Sequence, residues 1–248
     1  MATGISVNEL VNAKRHERSQ YNTVMASAVV LHQPVRPIGI LGGTFDPVHH
    51  GHLRLALEVY EALELQAVRL IPLGQPPHRS APVASPELRL RMLRTAIGNE
   101  LALILDDREL RRQGPSYTVD TLTDLRRELG DVPLCLLMGV DAFAALDTWH
   151  EWTRLIELAH IVVAQRPDAA LPTAGPVKEL FERHRTDVVS DLHQNSAGCI
   201  WLLPIPQLDI SASGIRALIA AGRSPRYLLP EGVIDIINQH QVYRRHAA

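Results

Sequence analysis

Six short apolar runs recur along this chain at spacings too wide for hairpins, and that alternation limits what it can fold into more than any other feature. The runs Ile38–Leu41, Val68–Pro72, Leu101–Leu105, Leu134–Met138, His160–Ala164 and Cys199–Leu203 are parted by stretches with helical spacing. Those stretches cover Leu53–Leu65, Pro86–Ile97, Val119–Leu129 and about Trp152–Leu158. Strands alternating with helices predict a parallel sheet built from βαβ units. Each run is apolar at both alternating positions, so helices are expected on both faces of the sheet. The pattern predicts an α/β fold over residues 36–205, a doubly wound parallel sheet of the Rossmann-like kind. Beyond it, Ser213–Ala221 and Glu231–His240 read as two helices with no strand between them, parted by Gly222 and Pro225. They predict a small helical C-terminal subdomain, residues 206–248, packed on the same core. Pro167–Pro176 reads as a surface loop, and residues 1–35 as a flexible N-terminal extension that packs little.

A formal charge of −2 offers no basic field for nucleic acid and no polybasic face for a membrane. No apolar run approaches the roughly 18 residues needed to span a bilayer. Lys14, Arg15 and Arg18 precede Ala28-Val29-Val30-Leu31, but that run is short for a secretory segment. The small residues Ala26-Ser27-Ala28 also lie ahead of it rather than behind. The expectation is a cytoplasmic protein, with Cys135 and Cys199 as free thiols inside apolar runs. Lys14 and Lys178 are the only lysines, which leaves arginine for any pairing with phosphate.

The stretch Gly42-Gly43-Thr44-Phe45-Asp46-Pro47-Val48-His49-His50-Gly51-His52 lies between the first strand and the first helix. It therefore sits at the carboxyl end of a parallel strand, where open α/β sheets bind ligands. Glycines admit close approach to the backbone, and free N–H groups at a helix start attract phosphate oxygens. Neither Gly-Lys-Ser/Thr nor G-x-G-x-x-G is present. Positive character would come instead from His49 and His52, three apart and so on one side of a helical turn. Three chemistries compete: a plain turn with surface histidines, a zinc site from His49, His50 and His52, and a triphosphate cradle. The zinc reading lacks a cysteine or a second acidic ligand nearby. Glycines, position and histidine spacing agree on the cradle.

His49-His50-Gly51-His52 matches the His-x-Gly-His signature of nucleotidyltransferases, and Gly42 to Leu53 resembles the longer form found in bacterial nicotinate mononucleotide adenylyltransferases. The likeness continues in order. Pro76-Pro77-His78-Arg79 resembles the family's PPH-Lys/Arg loop, and Ser116-Tyr117-Thr118-Val119-Asp120-Thr121-Leu122 its SYT-x-x-TL segment. Gly139-Val140-Asp141 with Trp149 is similar to its G-x-D…W block, Arg166-Pro167 to its RP pair, and Ile210 to Arg216 to its IS-x-S/T-x-IR element. The resemblance spans about residues 38–243, and the order and spacing of the pieces make it specific. Departures are modest: Ala212 and Gly214 stand where the family often has serine and another residue.

The resemblance implies a reaction that joins nicotinate mononucleotide and ATP into nicotinate adenine dinucleotide and pyrophosphate, with Mg2+ carried on ATP. It implies catalytic roles for His49, His52 and Arg216. ATP would contact Gly42, Gly43, Thr44, Phe45, Gly139, Asp141, Ser211, Ser213 and Ile215 as well. The mononucleotide would meet Asp46, Arg79, Thr118, Val119, Asp141, Trp149 and His150. Asp46 has a second reading, as a residue that merely fixes the turn before Pro47. No protein metal ligands are implied, and the chain would act as a monomer or homo-oligomer. Two other readings keep the same ATP loop: transfer to phosphopantetheine, and a nucleotide sensor without turnover.

Overall fold

The innermost strand, β1 (Ile38–Gly43), pairs on one side with β2 (Ala67–Pro72) and on the other with β4 (Leu134–Gly139). The computed structural model describes residues 35–76, 81–165, 170–206 and 208–244, so the expected extension lies almost wholly outside them. β3 (Leu103–Leu105), β5 (His160–Gln165) and β6 (Ile200–Pro204) complete a six-stranded sheet of order β3-β2-β1-β4-β5-β6, with every pairing parallel. The chain works outward from β1 to β3, then returns to lay β4 on the other side of β1. That reversal opens a crevice at the carboxyl ends of β1 and β4, where ligands of such sheets bind.

Two apolar layers hold the sheet. α1 (His50–Ala62), α2 (Pro86–Ile97), α9 (Ala212–Ala220) and α10 (Glu231–His240) bury Val59, Leu93, Ile215 and Val233 in one cluster with Leu41, Val68 and Leu70. On the opposite face, α4 (Thr118–Leu129), α5 (Val140–Ala144), α6 (Leu155–Leu158) and α7 (Pro176–His184) bury Leu122, Phe143, Leu155 and Val177 against Ile40, Leu136 and Val163. Two short helices, α3 (Arg108–Arg111) and α8 (Asp191–Gln194), lie in the connections. Among the described residues no helix is long and apolar enough to cross a membrane.

Local chemistry sets the helix ends. α2 starts where the Ser85 hydroxyl accepts from the Leu88 N–H at 3.3 Å with Pro86 in the first turn, and it stops at Gly98. Two expected elements differ. Trp152–Leu158 is a 3-10 turn over Trp152–Arg154 running into α6, too short for a full α-helix. The expected loop to Pro176 ends in a helix, since Pro176 opens α7 after Gly175; Pro167, Asp168 and Ala169 lie outside the described residues. Cys135 and Cys199 are both free thiols, and burial pushes the Cys135 thiol up to about 12.

Candidate active site

β1 ends on two glycines, and the chain then makes a tight loop into α1. Phe45 adopts a left-handed backbone (φ 49°) and folds its ring inward, 1% exposed. A Cβ on Gly43 would stand 3.1 Å from the tip of that ring, so any side chain at residue 43 would press on Phe45. Phe45 in turn meets the His52 ring edge-on, with centroids 4.9 Å apart. The glycine loop and the histidines are thus one packed unit.

His49 is the N-cap residue of α1 and His52 stands in its first turn. Their rings stack at 3.7 Å with 27° between planes. The His49 backbone N–H donates to His52 Nδ1 at 3.3 Å, which leaves the proton of a neutral His52 ring on Nε2. His49 Nδ1 is buried with no partner. Burial, reinforced by the neighbouring imidazoles, pushes His49 down to about 4 and His52 down to about 3. The expectation of positive character is corrected here: near neutral pH both rings are uncharged, because the packing that positions them also removes the water that would stabilise imidazolium. They can offer N–H donors but no standing charge. Among the described residues no three His, Cys, Asp or Glu side chains are placed to hold a metal ion.

Gly51 explains the third letter of His-x-Gly-His. A Cβ at this position would lie 3.0 Å from His49 Nδ1 and 3.6 Å from the Ile210 carbonyl oxygen. Gly51→Ala is therefore expected to gain helix propensity of up to about 1 kcal/mol while pushing the His49 ring off its stack. Turnover should fall about tenfold with thermal stability unchanged or higher, since small misplacements at a reacting centre are costly. Parallel kcat and melting measurements check this, and parallel losses in both would contradict it.

The Ile210 contact brings the far end of the chain to the glycine loop. α9 begins at Ser211, whose hydroxyl accepts from the Gly214 N–H at 3.1 Å and lies 3.3 Å from the Ser213 hydroxyl. One turn on, Arg216 donates from Nη1 to the Asp46 carbonyl oxygen at 2.7 Å. His50 N–H donates to the Leu228 carbonyl at 3.0 Å. Two helix starts, α1 and α9, therefore meet beside one glycine loop. Ile215 does not join them: its side chain is 1% exposed in the core and its N–H is spent on the Ser211 carbonyl.

On the other side of the loop lies a cavity of about 330 Å³. Gly42, Gly43 and Thr44 form one part of its wall, and Thr118, Trp149 and His150 another. Trp152, the nearest alternative to Trp149, is absent from the lining. Tyr117 and His150 pack ring on ring at 4.3 Å. Tyr117 is the N-cap of α4 but gives it no side-chain cap, so the first N–H groups of that helix are open. Val119 contributes only backbone, its side chain being 1% exposed in the core.

Asp46 is 3% exposed, and protein donors occupy its carboxylate: Ala84 N–H at 3.0 Å and Tyr243 hydroxyl at 2.6 Å on Oδ1, Val83 N–H at 2.8 Å on Oδ2. Its carboxylate is turned to these protein donors, in keeping with the structural one of its two readings, and it ties the glycine loop to the segment before α2 and to Tyr243. Gly139 and Asp141 stand at the carboxyl end of β4, Asp141 exposed in the first turn of α5, and neither lines the cavity. Arg79, with the rest of its loop from Pro77, lies outside the described residues, as does Arg166-Pro167.

Sequence reasoning missed Glu109, Ser116, Tyr117, Thr121 and Thr148 in the cavity wall. Glu109 is 6% exposed, accepts from the Thr121 hydroxyl at 2.7 Å, and is pushed up by burial. Its sequence signal is nil, one acid in the charged run Asp106-Asp107-Arg108-Glu109-Leu110-Arg111-Arg112. Ser116, Tyr117 and Thr121 were readable from the SYT-x-x-TL segment.

Residues 40–218 match the Cytidylyltransferase-like family model. A protein of Methylococcus capsulatus named "Probable nicotinate-nucleotide adenylyltransferase" is 50% identical over 209 residues, covering 84% of this chain and all of that one. A protein of the same name from Marinobacter nauticus is 52% identical over 205 residues, 82% of this chain and 95% of its own. Among solved structures, Plasmodium falciparum nicotinic acid mononucleotide adenylyltransferase complexed with NaAD aligns with TM-score 0.66 at 17% identity, over 84% of this chain and 97% of that one, a likeness of fold. The glycine loop, the stacked histidine pair and the incoming arginine thus belong to a member of the cytidylyltransferase-like family, in its group of nicotinate-nucleotide adenylyltransferase enzymes.

Proposed function

We propose that this protein joins nicotinate mononucleotide to ATP, giving nicotinate adenine dinucleotide and pyrophosphate. The observation that carries the reading is the Arg216–Asp46 contact, which brings a guanidinium from 170 residues away to the loop that holds the histidine pair. The names of the close relatives support the same reaction. So does the cavity, whose volume fits a small-ligand site of roughly 300–1,000 Å³.

ATP lies along the glycine loop, with phosphate oxygens on the amides from Gly42 to Phe45 and the Thr44 hydroxyl. His49 and His52 donate N–H groups to the phosphates as neutral rings. The start of α9, with Ser211, Ser213 and Arg216, takes the departing pyrophosphate, where a helix start and a guanidinium both favour anions. In this reading residues 206–248 act as the subdomain that delivers this second clamp. Gly139 and Asp141 bind ribose. The mononucleotide occupies the cavity, its ring on Trp149, its carboxylate facing the open amides of α4 near Val119, the Thr118 hydroxyl and the His150 amide, and its phosphate reached by Arg79.

A phosphate oxygen of the mononucleotide attacks the ATP α-phosphorus in line as the bond to the β-phosphate oxygen breaks, with no covalent enzyme intermediate. The nucleophile is already an anion, so the chain needs to position and to stabilise charge rather than to abstract a proton. Mg2+ would arrive with ATP and would supply further neutralisation of charge.

The test is pyrophosphate release from pure protein with ATP and Mg2+, compared across nicotinate mononucleotide, its amide and phosphopantetheine. Release that depends on the acid nucleotide is expected. Preference for phosphopantetheine, or tight ATP binding without any product, defeats the proposal. Trp149→Ala should raise KM for the mononucleotide about tenfold, the scale of one lost stacking platform. KM for ATP should stay within about twofold; a change confined to ATP contradicts the placement of the ring.

A further inference from the structure

Under the glycine loop lies a charge that the functional reading has not used. Arg89, on α2, is 0% exposed. Its Nη1 donates to the Thr44 carbonyl oxygen at 2.7 Å, while Nε and Nη2 are buried without partners. No carboxylate lies within ion-pairing distance of it among the described residues, although Asp46 and Tyr243 are near enough to influence it. Arginine stays protonated in such surroundings. A buried cation with unmet donors costs stability, and an apolar side chain of similar size would serve packing better. The arrangement therefore calls for a role other than packing.

The geometry of the peptide supplies one. The Thr44–Phe45 bond is trans, so its C=O and N–H point in opposite directions. With the carbonyl turned down onto Arg89, the Phe45 N–H is turned up and away, and it has no acceptor among the described residues. A backbone N–H without an acceptor in a glycine loop, above a buried positive charge, is what an anion requires. The two imidazoles bring no charge to this place, being neutral near pH 7.

We propose that Arg89 is a positioning residue for the nucleotide: it holds the Thr44 carbonyl inward, so that the Phe45 N–H faces a phosphate oxygen, and it supplies fixed positive charge beneath the loop. This rests on the reading that the loop cradles ATP. Arg89 touches no substrate and acts through Thr44 and Phe45.

Arg89→Met keeps the apolar stem and removes both donor and charge. It is expected to lower kcat/KM for ATP by about 10- to 100-fold, the scale of a displaced catalytic loop. KM for the mononucleotide should stay within about twofold. Arg89→Lys, which restores the charge and one donor, should recover most of the loss. A purely structural arginine would lower the melting temperature yet leave the folded enzyme with wild-type KM and kcat for ATP, and that result overturns the proposal. If the methionine variant does not fold, the wild-type protein decides by amide NMR with Mg2+ and a non-hydrolysable ATP analogue. The Phe45 amide resonance should shift on binding, and an unchanged resonance overturns the proposal. Wild-type turnover measured alongside separates the two readings. If the wild type makes no dinucleotide, the function itself fails; if it does and Arg89→Met matches it, only the role of Arg89 falls.

Discussion

Replacing His52 by alanine is expected to lower kcat at least about a hundredfold, the usual loss on removing a fixed donor from a developing oxyanion. The ring is held from three sides, by the His49 stack, by the Phe45 edge and by the His49 N–H on Nδ1. Its Nε2–H therefore needs no reorganisation when charge builds on the phosphates. Alanine removes the donor and also the support behind His49. A loss under tenfold would mean that the pair orders the loop and takes no part in the reaction.

The pH behaviour separates a neutral donor from a standing imidazolium. With His52 held at about 3 and His49 at about 4, kcat/KM for ATP, which reports the free enzyme, should show no loss from their titration between roughly pH 7 and 8.5. Standing imidazolium would give a fall as pH rises through about 6.5. Stability has its own sign. Both folded-state values lie below the unfolded one, so the unfolded chain takes up protons first as pH falls. The contribution is complete above about pH 6.5 and is lost as pH drops toward 4 and then 3. His52→Ala should flatten part of that slope.

What was legible in the sequence was what local chemistry writes. Pro86–Ile97 begins and ends where Ser85, Pro86 and Gly98 say it should. Glu231–His240 likewise follows its apolar spacing. β1 runs two residues past its apolar core because Gly42 and Gly43 still pair with Ile71 and Pro72, a register that only the neighbouring strand can set. The family motifs picked out the residues that meet at the loop, since each motif is short and its order carries information. Electrostatic state was not legible. The neutrality of His49 and His52 comes from burial, and burial comes from Phe45 and the packing around it. Arg89 was hidden for a similar reason: in Leu88-Arg89-Leu90-Arg91 nothing distinguishes the arginine that turns inward from the one that pairs with Gln239 and His240 outside.

Asp46→Ala is expected to cost about 3–5 kcal/mol of folding stability, the scale of leaving several buried donors without their acceptor at roughly 1–3 kcal/mol each. Three donors would lose their acceptor, and they come from distant parts of the chain: Val83 and Ala84 before α2, and Tyr243 near the C-terminus. Arg89 would lose the nearby negative charge that tempers its burial. Urea denaturation measures the loss, and Asp46→Asn should share much of it, because the amide N–H2 would face a donor where an oxygen now accepts. Kinetics on the folded fraction completes the test. The Asp46 carbonyl anchors Arg216, so a shifted backbone should weaken ATP binding while KM for the mononucleotide changes little. Stability within about 1 kcal/mol of wild type, with a tenfold rise in mononucleotide KM, would return Asp46 to the role of a ligand. That outcome would require its carboxylate to leave its partners on Val83, Ala84 and Tyr243, each of which now donates to it at 3.0 Å or less.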